Sequence, residues 1–259
     1  MLAELLELAP SGVEEVAIGP DLVEYAVYAA PGELPALPDL EAAAGGALVD
    51  VSTEEIADDW AQRWRSFHRP LVLGDRLTVR PPWEPPGETA LDVVIDPGQA
   101  FGTGAHATTR LCLELLLTIP AGGSFVDLGC GSGVLAIVAA RLGWSPVLAL
   151  DYDPAAVTAA RENAAANGVE LDVRGFDLRR EQVPEADLVA ANVLAPLLLG
   201  WAASQRRLPP ELILSGLLAT EADRVGLAFA ARGLRERERR TRGEWASLAL
   251  QASRSGQPE

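Results

Sequence analysis

The stretch SFVDLGCGSGVLAIVAARLG, residues 124–143, passes from a short apolar run through glycines at alternate positions into a helical pattern. A strand that breaks into a glycine turn and feeds straight into a helix is the opening unit of an open α/β sheet. The alternation runs on from residue 89. LDVVID, PVLALD, VELDVRG, ADLVAAN and ELILSG read as further strands. TTRLCLELLLT, PAAVTAARENAAANG and ATEADRVGLAFAARG read as helices set among them. Most of these strands are unbroken apolar runs, the pattern of a mostly parallel sheet covered on both faces. LRERERRTRG and EWASLALQAS end the chain as an antiparallel hairpin.

Residues 1–52 read differently. A helix, LAELLELAP, precedes strands VEEVAIG and LVEYAVYAA, a short helix PDLEAAAGG and a strand ALVDV. The order α-β-β-α-β is that of a ferredoxin-like unit short of its first strand. Residues 53–87 form a connector. TEEIADDWAQRWRSFHRP opens with a capping signature and sets Trp60, Trp64 and Phe67 on one helical face, suited to packing between domains. PPWEPPGE, at 81–88, is expected to be extended. Three segments follow: 1–52, a linker over 53–87, and an α/β domain over 88–259.

Bulk properties narrow the function classes. The net charge is −16 and all 21 basic residues are arginine. Phosphate neutralisation supplies much of the affinity for bare nucleic acid, so no direct nucleic-acid binding is expected. The acidity serves either a basic protein partner or solubility alone. The two cysteines, Cys112 and Cys130, have no CxxC spacing and no histidine nearby in a ligand pattern, so no metal site is expected. No apolar run approaches the ~20 residues that span a bilayer, and MLAELLELAPSGVEE lacks a basic n-region. The reading is a soluble, cytoplasmic protein, expected to be monomeric and without membrane contact.

The loops carry the chemistry. Ligands of a doubly wound sheet bind beyond the carboxyl ends of its strands. In DLGCGSG, Gly129, Gly131 and Gly133 let backbone approach a ligand, and the following helix offers free N–H groups. A dinucleotide fingerprint needs its third glycine at position 134, which is Val134. The spacing D-x-G-x-G-x-G instead resembles the first motif of S-adenosylmethionine-dependent methyltransferases. Asp127 would then act, directly or through water, near the cofactor's ammonium group. Asp151, ending LALD, falls where a ribose-binding acid is expected, roughly 20 residues on. Asp153, ahead of Pro154, reads as an N-cap. Asp177 in RGFDL either meets the adenine amino group or caps a turn. Asn192, ending ADLVAAN, either accepts hydrogen bonds from an amine nucleophile or caps the next helix.

AFGTGAHATTR, VDLGCGSGVLAI, LDYDP, ENAAANGV, VAANVLAPLL, LSGLLATEADRV and GEWASLAL occur in the order and spacing of the PrmA family, methyltransferases of ribosomal protein L11. The chain resembles that family over about residues 55–252. The resemblance implies a Rossmann-like doubly wound, mostly parallel seven-stranded methyltransferase sheet with a small ferredoxin-like α+β N-terminal domain that recognises substrate. It implies cofactor contacts at Thr109, Gly129, Asp151 and Asn192, and a loop over the cofactor holding Phe101, Gly102 and Thr103. Ala105 and Ala107 depart from residues frequent in the family, and neither is an implied contact. His106 either accepts a proton from the incoming ammonium, as an unperturbed pKa of ~6.5 permits, or fixes the shape of its loop.

The implied activity is transfer of methyl groups from S-adenosyl-L-methionine to lysine ε-amines or the α-amine of a ribosomal protein. The alternatives are a related protein-lysine methyltransferase with another target, such as an electron-transfer flavoprotein subunit, a small-molecule amine methyltransferase, and a non-catalytic S-adenosylmethionine-binding module. A nicotinamide oxidoreductase is disfavoured by the glycine at 133 rather than 134.

Overall fold

The computed structural model describes residues 13–19, 22–27, 50, 69–96 and 106–252. The chain divides into two compact units, Met1–Asp59 and Trp60–Glu259. In the first, β1 (Val13–Gly19) and β2 (Leu22–Val27) pair antiparallel, with Val13 opposite Val27 and Gly19 opposite Leu22. They fall on the expected VEEVAIG and LVEYAVYAA. The expected helices LAELLELAP and PDLEAAAGG, all of ALVDV but Asp50, and the connector helix with Trp60, Trp64 and Phe67 lie outside the described residues.

The described residues of the second unit open with a small sheet. β3 (Leu71–Leu73) pairs antiparallel with β4 (Leu77–Arg80), and β4 pairs parallel with β5 (Leu91–Val94). Part of the expected linker is therefore strand, and LDVVID joins this sheet rather than the large one. The reason is tertiary. Leu77, Val79 and Val93 bury one face of the small sheet. On the other, Arg80 grips Asp92 through Nε and Nη2 at 2.8–3.0 Å. Arg80 Nη1 also donates to the Glu84 carbonyl at 2.7 Å, and the Glu84 N–H donates to the Pro81 carbonyl at 3.2 Å. The proline-rich run thus turns where an extended segment was expected.

The large sheet has seven strands in the order β11–β12–β10–β9–β6–β7–β8. They are β6 (Phe125–Leu128), β7 (Val147–Asp151), β8 (Asp172–Gly175), β9 (Leu188–Asn192), β10 (Glu211–Leu218), β11 (Leu234–Arg242) and β12 (Trp245–Ala252). From β8 to β10 every pairing is parallel, and β12 runs antiparallel to both β10 and β11. Five described helices alternate with the strands: α1 (Ala107–Leu116), α2 (Val134–Leu142), α3 (Pro154–Ala166), α4 (Ala195–Ser204) and α5 (Ala222–Ala230). Asp153 caps α3 as expected, its carboxylate accepting from the Ala155 N–H at 2.8 Å with Pro154 first in the helix.

Successive residues of the central strands feed two separate cores. Phe125, Leu188 and Ala190 pack with Cys112, Ile137 and Ala160 beneath α1, α2 and α3. Val126, Val189 and Ala191 pack with Leu198, Trp201 and Phe229 beneath α4 and α5. This period-two division explains why the strands read as unbroken apolar runs: both faces are covered. The sequence moves outward from β6 to β7 and β8 on one side and to β9 and β10 on the other. The switch point between β6 and β9 is where such a sheet opens a crevice at its carboxyl edge. Among the described residues no helix is long and apolar enough to cross a membrane.

Candidate functional site

The loop after β6 is shaped by its glycines. Gly129, Gly131 and Gly133 take φ of +74°, +51° and +80°, a region that side-chain-bearing residues rarely adopt. A Cβ on Gly129 would stand 2.5 Å from Val193 Cγ1, in the loop after β9. Two strand-end loops therefore meet at a point where only glycine fits. The Gly129 and Cys130 N–H groups donate to the Leu150 carbonyl at 2.8 and 3.0 Å, which folds the loop back over β7.

A pocket of about 360 Å3 opens there, at the carboxyl ends of β6, β7 and β9. Thr109 from α1, Gly129 and Gly131, Asp151, Asp177 and Asn192 all lie on its wall. Asp151 Oδ2 accepts from the Gly131 N–H at 2.8 Å and Oδ1 from the Asp153 N–H at 2.9 Å, so the carboxylate is fixed by backbone at the end of β7. Asn192 Nδ2 lies 3.4 Å from Thr109 Oγ1 as donor, which leaves its Oδ1 to accept from something else. Leu150, Phe176 and Leu178 supply apolar wall between the polar groups.

Other expected site residues are placed elsewhere. Asp127 is fully buried beneath the glycine loop and absent from the pocket wall. Its Oδ2 accepts from the Ala136 N–H, third in α2, at 3.0 Å, doing the work of an N-cap side chain that Gly133 lacks. Its Oδ1 has no hydrogen-bond partner among the described residues. Burial, reinforced by the nearby Asp151 charge and opposed by the Ala136 N–H, pushes its pKa up to about 7. In the structure Asp127 supports the loop and the start of α2 from beneath. Gly133 also stands off the wall: a Cβ there would meet Ala160 Cβ at 3.0 Å, so it serves close packing of α2 on α3.

His106 caps α1. Its Nδ1 accepts from the Thr108 N–H at 3.3 Å and lies 2.7 Å from Thr108 Oγ1. Its ring meets Trp245 edge-on, centroids 4.9 Å apart. Among the described residues the histidine is not on the pocket wall, and these contacts fix the start of α1. Phe101, Gly102 and Thr103 lie outside the described residues.

For Asp177 the turn-capping alternative is seen. It is on the wall, and it also makes an Asx turn by accepting from the Arg179 N–H at 3.0 Å. The Arg179 guanidinium pairs with both carboxylate oxygens and lowers the Asp177 pKa below the usual range. The same guanidinium lies over the Tyr152 ring, 4.9 Å from its centroid. Tyr152 and Arg179 line the pocket and were not anticipated. The available signals were an aromatic directly after the strand-ending acid and the D-x-R spacing of an Asx turn. Cys130 on the wall is held as a neutral thiol, since burial raises its pKa strongly. Among the described residues no group of three or more His, Cys, Asp or Glu is placed to hold a metal ion.

The donor set discriminates between ligand classes. Asp151 stands on the wall beside the glycine loop, where its carboxylate repels a pyrophosphate. The same charge suits a cationic, phosphate-free ligand whose vicinal hydroxyls need an acceptor at Asp151. S-adenosylmethionine has that chemistry, and the glycine cradle that a Cβ would fill gives its backbone-facing parts room.

The sequence profile described as "Ribosomal protein L11 methyltransferase (PrmA)" matches residues 36–253. A ribosomal protein L11 methyltransferase of Symbiobacterium thermophilum is 46% identical over 174 residues, covering 65% of this chain and 57% of that one. Its counterpart in Pelobacter propionicus is 42% identical over 211 residues, covering 74% and 66%. That of Gloeobacter violaceus is 43% identical over 196 residues, covering 73% and 62%. The chain therefore spans 57–66% of the length of these relatives. Among solved structures, the ribosomal protein L11 methylase of Lactobacillus delbrueckii subsp. bulgaricus superposes with a TM-score of 0.63 at 30% identity, covering 71% of this chain and 99% of that one.

Proposed function

Because the chain belongs to the ribosomal protein L11 methyltransferase family, we propose that it transfers methyl groups from S-adenosyl-L-methionine to amines of ribosomal protein L11. The observation that carries this reading is the convergence of Asp151, the glycine loop, Thr109 and Asn192 on one pocket at the switch point of the sheet. S-adenosylmethionine, when bound, supplies an electrophilic methyl group on a sulfonium. The chain's own residues bind and orient. Asp151 accepts the ribose hydroxyls, and the apolar wall of Leu150, Phe176 and Leu178 takes the adenine.

An amine attacks only through a free lone pair. Asn192 meets that need by positioning: with its Nδ2 turned to Thr109, its carbonyl oxygen accepts an N–H of the incoming amine and aims the lone pair. No side chain in this arrangement is required as a strong base, since the amine sheds its first proton to water. The net charge of −16 favours a basic protein over bare nucleic acid as the partner.

Calorimetric titration with S-adenosylmethionine, followed by incubation of the full chain with labelled cofactor and purified L11, tests the reading. Binding and label on L11 are expected. Absence of binding at millimolar cofactor refutes the cofactor assignment. Label appearing on an electron-transfer flavoprotein subunit and not on L11 refutes the substrate assignment alone.

A further inference from the structure

ENAAAN, at the end of α3 with Asn167 as its C-cap, is a family-matching stretch that the pocket leaves without a task. Asn163 and Asn167 stand one turn apart and both reach off the helix to backbone. Asn167 Oδ1 accepts from the Val94 N–H at 2.9 Å, and its Nδ2 donates to the Val94 carbonyl at 2.6 Å and the Asn163 carbonyl at 2.7 Å. It completes the hydrogen bonding of β5 as a neighbouring strand would. Asn163 does something different. Its side chain is buried, its Oδ1 accepts from the Asp96 N–H at 2.9 Å, and its Nδ2 donates to the Ser132 carbonyl at 3.0 Å. One carboxamide thus joins the chain just past β5 to the glycine loop.

The glycine loop needs such a strut. Backbone bonds to the Leu150 carbonyl and from the Gly133 N–H to the Cys130 carbonyl hold part of it, and side chains hold the rest. Asp151 takes the Gly131 N–H and Asp127 takes the Ala136 N–H. Both are acceptors for N–H groups. Asn163 grips the loop by a carbonyl, between Gly131 and Gly133, and so needs a donor. Its amide provides donor and acceptor at once, which neither aspartate nor leucine of similar size can do.

We propose that Asn163 is a positioning residue for the cofactor, holding the glycine loop from behind so that S-adenosylmethionine affinity depends on a side chain outside the pocket. The inference rests on reading this pocket as the S-adenosylmethionine site. Asn167 is the internal control, because its bonds go to β5 and to its own helix and none reaches the loop.

The test is calorimetric titration of the full chain with S-adenosylmethionine, beside thermal unfolding, for wild type, Asn163→Ala, Asn163→Asp and Asn167→Ala. Asn163→Ala and Asn163→Asp are expected to raise the dissociation constant about tenfold, as loss of a buried hydrogen bond to a binding loop implies. Asn167→Ala is expected to lower the melting temperature comparably while changing the dissociation constant less than about threefold. Asn163→Asp keeps the acceptor for Asp96 and carries the test if the alanine variant does not fold. Unchanged affinity in the folded Asn163 variants overturns the proposal. So does equal weakening by Asn167→Ala, which would mean general loosening of α3. Failure of wild type to bind at all overturns the reading of the pocket instead, and the two failures are distinct.

Discussion

Asp151→Ala bears most directly on the pocket. The carboxylate already accepts from the Gly131 N–H at 2.8 Å and the Asp153 N–H at 2.9 Å, one bond to each oxygen. A carboxylate has about four lone-pair sites, so each oxygen keeps capacity for one more donor. A ribose diol offers two. Hydrogen bonds to a charged acceptor contribute about 1.5–3 kcal/mol each. Taking the low end for both, the truncation costs about 3 kcal/mol of binding, roughly 150-fold in dissociation constant. The two backbone N–H groups also lose their acceptor, so the melting temperature falls by several degrees, at about 2–4 °C per kcal/mol for a domain of this size. Titration calorimetry with S-adenosylmethionine and with S-adenosylhomocysteine is the assay. Both ligands carry the ribose, so both should weaken by the same factor, and Asp151→Asn should fall between wild type and alanine. A folded alanine variant that binds within about threefold of wild type refutes the ribose assignment. Weakening of S-adenosylmethionine alone also refutes it, since the carboxylate would then be acting on the sulfonium charge.

Asn192→Ala is expected to lower kcat by about a hundredfold while KM for the protein substrate stays within about threefold, because the loss is of orientation. Steady-state kinetics check it, and a change confined to KM refutes it. Asp127 gives a pH signature: with its folded pKa raised from 3.8 to about 7, the folded chain keeps a proton that the unfolded chain sheds, so its contribution is full below about pH 4 and is lost as pH rises through about 7. Chemical denaturation should show the stability of wild type relative to Asp127→Asn falling between about pH 4 and pH 7 and levelling above, and a flat difference refutes the burial argument. Gly129→Ala puts a Cβ at φ +74° and 2.5 Å from Val193 Cγ1, so it should destabilise by at least about 1–2 kcal/mol and weaken cofactor binding; an unshifted melting curve refutes the close approach.

Much of the large sheet was legible because its signals are local. An apolar run, a glycine turn and a helical pattern each declare themselves within a few residues, and Asp153–Pro154 announces the start of α3 without help from the rest of the chain. Membership of a sheet is not local. LDVV is a strand by composition, yet whether it joins the seven-stranded sheet or a smaller one depends on Arg80 reaching Asp92 and on Leu77 and Val79 offering an apolar face. β3 and β4 are three and four residues long, too short for a period to show. His106 left two roles open by residue type, and its capping of α1 becomes visible only when Nδ1 is seen on the Thr108 N–H.

Asp127 is the instructive case, because the sequence held the signal. Side chains in a strand alternate between faces, so Asp127 shares the face of Phe125, and Phe125 lies in the core beneath α1, α2 and α3. A pocket at the end of β6 is reached from beyond Leu128, past the side of the strand on which Asp127 stands. The first acid of D-x-G-x-G-x-G is thus committed by strand parity to the layer under the loop. The acid that ends β7, Asp151, is free to face the pocket because it is the last residue of its strand. From that layer Asp127 reaches the Ala136 N–H, and Asn163 reaches the Ser132 carbonyl from α3. The motif's pattern of one acid and three glycines therefore divides by geometry: Gly129 and Gly131 line the pocket, and Asp127 and Gly133 fix the helix that follows.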